Sequence, residues 1–92
     1  MSSISREQLI KVITTAGTAV PLSAVSLGFN KVTIQAKISN TNYIYVGNSS
    51  VDNTYVALPG GATIDLEGGD FNDVYIDADT DGEGVTCLYK EV

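Results

Sequence analysis

The side chains that could do chemistry in this chain are nearly all carboxylates. The 92 residues include 11 Asp and Glu, 5 Lys and Arg, 1 cysteine and no histidine. Without histidine the usual proton carrier near neutral pH is missing, and neither a Ser–His nor a Cys–His nucleophile can form. Pairs of carboxylates, such as glycosidases use, remain, but we expect so short a chain to build no deep cleft around them. The composition therefore predicts no enzyme, no catalytic residue and no bound cofactor.

One acidic stretch has half of the spacing of a calcium-binding loop, in which oxygen ligands alternate along the chain before a glycine. The matching carboxylates are those of Asp77, Asp79 and Asp81. Gly82 follows them, but Leu88 occupies the twelfth position, where such a loop requires a bidentate glutamate. Two interpretations stay open: a non-standard calcium site, which Glu83 could join, or an acidic turn that binds no metal.

The tyrosines are the candidate contact residues. If the aliphatic residues of segments 43–46 and 74–76 point inward, the period of two along a strand turns the neighbouring tyrosines outward. We predict a protein-binding interface made of Tyr43, Tyr45, Tyr55 and Tyr75. Tyrosine suits an interface because its ring offers area at low entropic cost while its hydroxyl tolerates water. The alternatives are that the rings cover a sheet face, pack under the N-terminal segment, or stack on a sugar.

Charge is distributed unevenly along the chain. The net charge is −6 overall, with +3 over residues 1–40 and −9 over residues 41–92. Eight carboxylates and no cation lie between Asp65 and Glu83, and such a surface repels phosphate backbones, so we expect no nucleic-acid partner. The acidic half could serve solubility, or it could meet the basic half of a neighbouring subunit.

Residues 1–16 differ from the rest and are interpreted as an N-terminal arm. Ser5 to Gln8 has the spacing of a capping box, which predicts a short helix. The β-branched run from Val12 to Thr15 favours an extended segment instead. Both conformations stay open, and the apolar residues of the arm need burial on their own domain or on a neighbour. Residues 17–92 are interpreted as the β-sandwich domain.

From Thr18 onward the pattern is that of short strands separated by turns. The clearest alternation places four residues on one face: Val32, Ile34, Ala36 and Ile38. Segment 31–46 is expected to be a hairpin, and residues 77–84 are expected to close a final hairpin. Pro59-Gly60 fits the central positions of a type II turn. Six to seven short strands with regular turns predict an all-β fold, a compact antiparallel sandwich or barrel.

The chain offers no apolar run of the length, about 20 residues, that spans a bilayer, so we expect no membrane partner. Its N-terminal stretch is too rich in threonine, serine and glycine for a secretory signal. Cys87 is the single cysteine, which fits a reducing compartment, and its place in an apparent strand predicts a small core residue.

Three ordered segments carry a resemblance. The runs I-Y-V-G-N-S, L-P-G-G and V-Y-I-D-A-D-T-D-G-E-G-V, within Gly17 to Tyr89, resemble small bacteriophage virion proteins. The resemblance implies a capsid decoration or cement protein that contacts the major capsid protein or other virion proteins and resides in the virion, assembled in the host cytoplasm. It also implies a homo-oligomer, with a trimer favoured. The alternatives are a tail, neck or fibre-associated protein and a carbohydrate-binding adhesion module.

Overall fold

The computed structural model describes residues 7–91, which form eight strands. Their bounds are β1 (Glu7–Val12), β2 (Val20–Pro21), β3 (Gly28–Ala36), β4 (Ile44–Gly47), β5 (Val56–Leu58), β6 (Thr63–Asp70), β7 (Tyr75–Ala78) and β8 (Gly84–Glu91). They make two antiparallel sheets of four strands, sheet A in the order β1-β8-β3-β6 and sheet B in the order β2-β7-β4-β5. The predicted all-β sandwich is confirmed.

The core lies between the inner faces of the two sheets. The alternation in β3 is confirmed for Val32, Ile34 and Ala36, all of which are fully buried. Sheet B contributes Ile44 and Ile76 to the same cluster. Each buried aliphatic side chain of this size stabilises the fold by roughly 1.5–3 kcal/mol, so the alternating residues of both sheets supply the force that holds the layers together.

An aromatic cluster fills one part of this core. The ring centroids of Phe29 and Phe71 are 4.7 Å apart, and Phe71 meets Tyr89 edge to face, also at 4.7 Å. Edge-to-face and tilted arrangements at this separation are favourable beyond the area they bury. Cys87 is fully buried beside these residues in the core cluster, which confirms its prediction as a core residue.

Both predicted hairpins are wrong. Within 31–46, β3 belongs to sheet A and β4 to sheet B, so residues 37–43 cross from one sheet to the other. Likewise β7 lies in sheet B and β8 in sheet A. Ile38 falls on the first crossing and is 79% exposed, not buried. Within residues 7–91 only β4 and β5 are consecutive strands that pair with each other.

The turn after β5 is displaced by one residue from its expected position. The N–H of Ala62 donates to the carbonyl of Pro59 at 2.9 Å, so Gly60 and Gly61 are the central residues. Gly61 has a φ of 87°, which is the positive value that the second central position of a type II turn requires. Pro59 therefore precedes the central pair instead of opening it.

The segment interpreted as an arm enters sheet A in its described part. Residues 7–12 are extended and pair with β8, with Glu7 opposite Tyr89 and Val12 opposite Gly84. Ile13 follows and is fully buried in the core. Residues 1–6, with the capping-box Ser5, lie outside the described residues. No helix within residues 7–91 has the length and apolar character needed to cross a membrane.

Candidate functional site

The outer face of sheet B carries the tyrosines. In the pairing of β4 with β7, Tyr45 lies opposite Asp77 and Gly47 lies opposite Tyr75. Cross-strand partners share a face, and so do residues two apart along a strand. Since the intervening Ile44, Val46 and Ile76 belong to the core, the outer face holds Tyr45 and Tyr75. We call this surface, completed by Tyr43 and Tyr55, the tyrosine face.

Tyr45 is the buried member of the tyrosine face. It is only 7% exposed, and its hydroxyl donates to Oδ2 of Asp79 at 2.8 Å. This hydrogen bond, together with burial, raises the pKa of Tyr45 to about 12, because ionising the hydroxyl would lose the donor and place two negative charges together. Tyr45 therefore anchors β4 to the segment after β7 and offers little free surface to a partner.

Tyr43 is the exposed member. Its side chain is 49% exposed and precedes β4 by one residue. Tyr75 and Tyr55 are intermediate in exposure. The four predicted interface residues are therefore buried to different extents: Tyr43 is the most exposed, Tyr55 and Tyr75 are half-buried, and Tyr45 is buried.

Tyr55 folds back over β4 at a glycine. A Cβ on Gly47 would lie 2.5 Å from a ring carbon of Tyr55, closer than two nonbonded carbon atoms approach, so a larger residue at this position would displace the ring. The Tyr55 hydroxyl also donates to Oδ1 of Asn48 at 3.3 Å. Gly47 and Asn48, in the segment I-Y-V-G-N-S, consequently contact the ring and the hydroxyl of Tyr55.

Each of the three carboxylates predicted as calcium ligands accepts a hydrogen bond from another part of the chain. Oδ1 of Asp77 accepts from the N–H of Gly17 at 2.9 Å, and Oδ1 of Asp81 accepts from the N–H of Ala16 at 2.7 Å. Asp79 accepts from Tyr45, as described above. No group of three metal-ligating side chains occurs within residues 7–91. The arrangement joins the β1–β2 connection and β4 to the acidic segment.

Glu83 is a buried carboxylate that the sequence did not single out as an anchor. Its Oε2 accepts from the hydroxyl and the N–H of Thr41, and its Oε1 accepts from the N–H of Asn42 at 3.1 Å. These donors, with the Thr41 N–H first among them, hold the pKa of Glu83 below its ordinary value. A turn of the β3–β4 crossing is thereby fixed to the residue before β8, and no sequence pattern signals a pairing across 41 or 42 residues.

A second exposed feature lies on the outer face of sheet A. Ile10, Val12 and Leu88 are 56%, 40% and 45% exposed. Gln8 pairs with Leu88 in the β1–β8 ladder, so residues 8, 10 and 12 of β1 share one face with Leu88. We call these three side chains the apolar strip. The sequence identified Ile10 and Val12 as residues that need burial, and the fold leaves both accessible.

Comparison with protein-family models, with curated proteins and with solved structures finds no match to this chain.

Proposed function

We propose that this chain is a non-enzymatic structural protein of a bacteriophage particle, a capsid decoration or cement protein that binds the assembled head. The observation that carries the proposal is the tyrosine face, an aromatic surface on one layer of a small sandwich. Tyr43 is half exposed there, while the hydroxyl of Tyr45 is fixed beneath it. A fixed aromatic surface binds another protein at low entropic cost.

Three properties of the sequence support the same proposal. The chain has no histidine, so general acid–base and nucleophilic chemistry near neutral pH lacks its usual group. Its three ordered segments resemble small virion proteins, and the charge of −6 disfavours a nucleic-acid partner. The major capsid protein, or another virion protein, is the proposed partner.

The mechanism follows from mass action. A protein that binds the assembled shell but not free subunits stabilises the shell by the free energy of that binding. An interface of about 800 Å² per partner suffices for specific association. Copies that engage several shell sites at once bind more tightly than one copy does, because every further contact is intramolecular.

The first test asks whether the protein is part of the particle. Virions of the phage whose genome encodes this chain are purified by density gradient, and peptides of this chain are sought by mass spectrometry. Immuno-electron microscopy then distinguishes head from tail labelling. We expect the chain in the particle with label over the head; label confined to the tail supports the tail, neck or fibre alternative. Absence of the chain from virions would overturn the proposal.

The second test asks whether the tyrosine face is the contact. Particles that lack the protein are mixed with purified wild-type, Tyr43→Ala and Thr18→Ala proteins, and bound protein is measured after sedimentation. We expect saturable wild-type binding, at least about tenfold weaker binding by Y43A if Tyr43 is a hot spot, and no change for the exposed control at Thr18. Equal binding by all three would remove the tyrosine face from the interface. Saturable binding to a glycan array, lost in Y43A, would instead favour the adhesion module.

A further inference from the structure

The two sheets differ in how their edge strands are protected. Sheet B ends in β2, which has two residues including Pro21, and in β5, which has three residues. Short edges and edge prolines discourage pairing with another chain. Sheet A ends in two long strands, β1 with six residues and β6 with eight. Among the strands of residues 7–91, only these two edges have the length to extend the sheet through a second molecule.

Charge separates the two long edges. The residues of β6 include Asp65, Glu67 and Asp70 and no cation, so two such edges repel each other. The residues of β1 include one anion, Glu7, and one cation, Lys11. An edge that carries both signs can pair with a copy of itself, because antiparallel pairing reverses the order of its charges.

The free backbone groups of β1 can be identified from its pairing with β8. Just beyond β1, the N–H of Ile13 donates to the carbonyl of Glu83 at 2.8 Å, and the Ile13 carbonyl accepts from the N–H of Gly82 at 2.7 Å. Backbone groups alternate in direction along an antiparallel strand. The odd-numbered residues of β1 therefore face β8, and the N–H and C=O groups of Gln8, Ile10 and Val12 face the free edge.

The charges select one register for a two-fold pair. An axis at Leu9 places Glu7 opposite the second copy's Lys11, and it does so twice by symmetry. An axis at Lys11 would place like charges opposite each other, and an axis at Ile10 would leave both charges opposite apolar residues. With the axis at Leu9, Gln8 and the second copy's Ile10 form a hydrogen-bonded pair, and Leu9 meets its own copy as a non-hydrogen-bonded pair.

We propose that two copies of this chain pair antiparallel through β1, about a two-fold axis at Leu9, to form one continuous eight-stranded sheet. The pair satisfies the free backbone groups of Gln8 and Ile10, forms two Glu7–Lys11 ion pairs and brings the two apolar strips together on one face. Ile10, at 56% exposure, gains a neighbouring strand. The occupant of this edge is a second copy of the chain, so the assembly is a dimer and not the trimer favoured by the resemblance.

This inference goes beyond the proposed function and does not depend on it. A β1 dimer can form whether the chain binds a phage head, a tail or a glycan. If it does bind a particle, the dimer presents two tyrosine faces, and the particle-binding tests above can fail while the dimer stands.

Charge reversal provides the test. Sedimentation velocity from micromolar to millimolar concentration compares the wild type with Lys11→Glu, Glu7→Lys and the control Lys37→Glu, which makes the same charge change on the β3–β4 crossing. We expect a wild-type and K37E dimer, and for each β1 variant a self-association weaker by on the order of tenfold to a hundredfold, because two attractive cross-strand pairs become repulsive. An equimolar mixture of K11E and E7K restores both ion pairs and should dimerise as strongly as the wild type.

A disulfide test fixes the register. Cα atoms of a non-hydrogen-bonded pair lie about 4.5 Å apart, within the range that a disulfide spans. Leu9→Cys should therefore give a covalent dimer under mild oxidation, whereas the exposed control Ser39→Cys should stay monomeric on a reducing-agent-free gel. Because Leu9 lies directly opposite Cys87 in the β1–β8 ladder, both cysteine variants are made in a Cys87→Ala background, and circular dichroism checks that each variant is folded.

Three results would overturn the proposal. One is a wild-type protein that stays monomeric at millimolar concentration. Another is a wild-type trimer or larger ring. The third is a dimer that K11E leaves unchanged while L9C gives no covalent product. The mixture of K11E and E7K tests the role of charge even if one variant alone loses stability, because a β1–β1 pair predicts that the two variants recover each other, and the L9C disulfide then fixes the register.

Discussion

Replacing Tyr45 with phenylalanine tests whether this tyrosine stabilises the fold, in contrast to the contact role proposed for the exposed tyrosines of the outer face. The substitution removes one oxygen and leaves the ring, so the 7% exposed side chain keeps its packing. It also removes the 2.8 Å hydrogen bond to Asp79. The expected result is a less stable protein with an unchanged contact surface at Tyr43.

The magnitude follows from the surroundings of the two partners. A hydrogen bond to a charged group contributes roughly 1.5–3 kcal/mol when both partners are buried. Asp79 is exposed, so water replaces the lost donor and the loss falls to about 1 kcal/mol. With a slope of about 1–2 kcal/mol per molar urea for a domain of this size, the unfolding midpoint should fall by about 0.5–1 M.

A double-mutant cycle in urea isolates this hydrogen bond. The four proteins are the wild type, Tyr45→Phe, Asp79→Ala and the double variant, and we expect a coupling free energy of about 1 kcal/mol between the two sites. Tyr43→Phe, with its exposed ring, is the matched control and should stay within about 0.5 kcal/mol of the wild type. If Y45F is as stable as the wild type, or if the two substitutions are additive, the anchor assigned to Tyr45 does not exist.

The same hydrogen bond predicts a dependence on alkaline pH. Because the pKa of Tyr45 rises from an ordinary 10.0 to about 12 in the fold, the folded state retains this proton longer than the unfolded chain. The contribution of the Tyr45 hydrogen bond to stability is fully present below pH 10 and is lost as the pH rises towards 12. The difference in stability between the wild type and Y45F should therefore shrink across that interval.

Two further predictions concern buried groups elsewhere in the fold. The Thr41 and Asn42 donors hold the pKa of Glu83 below its ordinary 4.5, so its contribution is present above pH 4.5 and is lost as acid protonates the folded carboxylate. In Glu83→Gln, the free energy of unfolding measured with urea should therefore fall less steeply than in the wild type as the pH is lowered. The same fall in both proteins would contradict this role. Burial raises the pKa of the Cys87 thiol to about 12, so a thiol reagent should react with it only in step with unfolding, and rapid labelling of the native protein would show that the core is open.

The faces of the strands could be predicted from the sequence, since a period of two fixes which side of a sheet each residue occupies. Val32, Ile34 and Ala36 in β3, and Cys87 in β8, are fully buried as predicted. The sandwich itself followed from many short alternating segments with turns between them. These inferences needed only local information.

Membership of a sheet could not be predicted in the same way. Periodicity does not say whether the chain turns back beside itself or crosses to the other layer. Residues 37–43 and 79–83 make such crossings, although their turn-forming residues would suit a hairpin equally well. The burial of individual side chains could not be predicted either. The period of two places Tyr43 and Tyr45 on the same face, yet Tyr43 is exposed and Tyr45 is buried.

The crossings also account for part of the acidity of the second half of the chain. A segment that leaves one sheet for the other carries backbone N–H groups without a ladder partner, and buried or half-buried N–H groups need acceptors. The N–H groups of residues 16 and 17 find carboxylates at Asp81 and Asp77, and those of residues 41 and 42 find Glu83. These carboxylates accept hydrogen bonds within the fold, so the negative charge of the second half is weak evidence for a basic partner. The tyrosine face and the free edge of β1 are two surfaces on which the described part of this fold leaves aromatic, apolar and backbone groups available for contact.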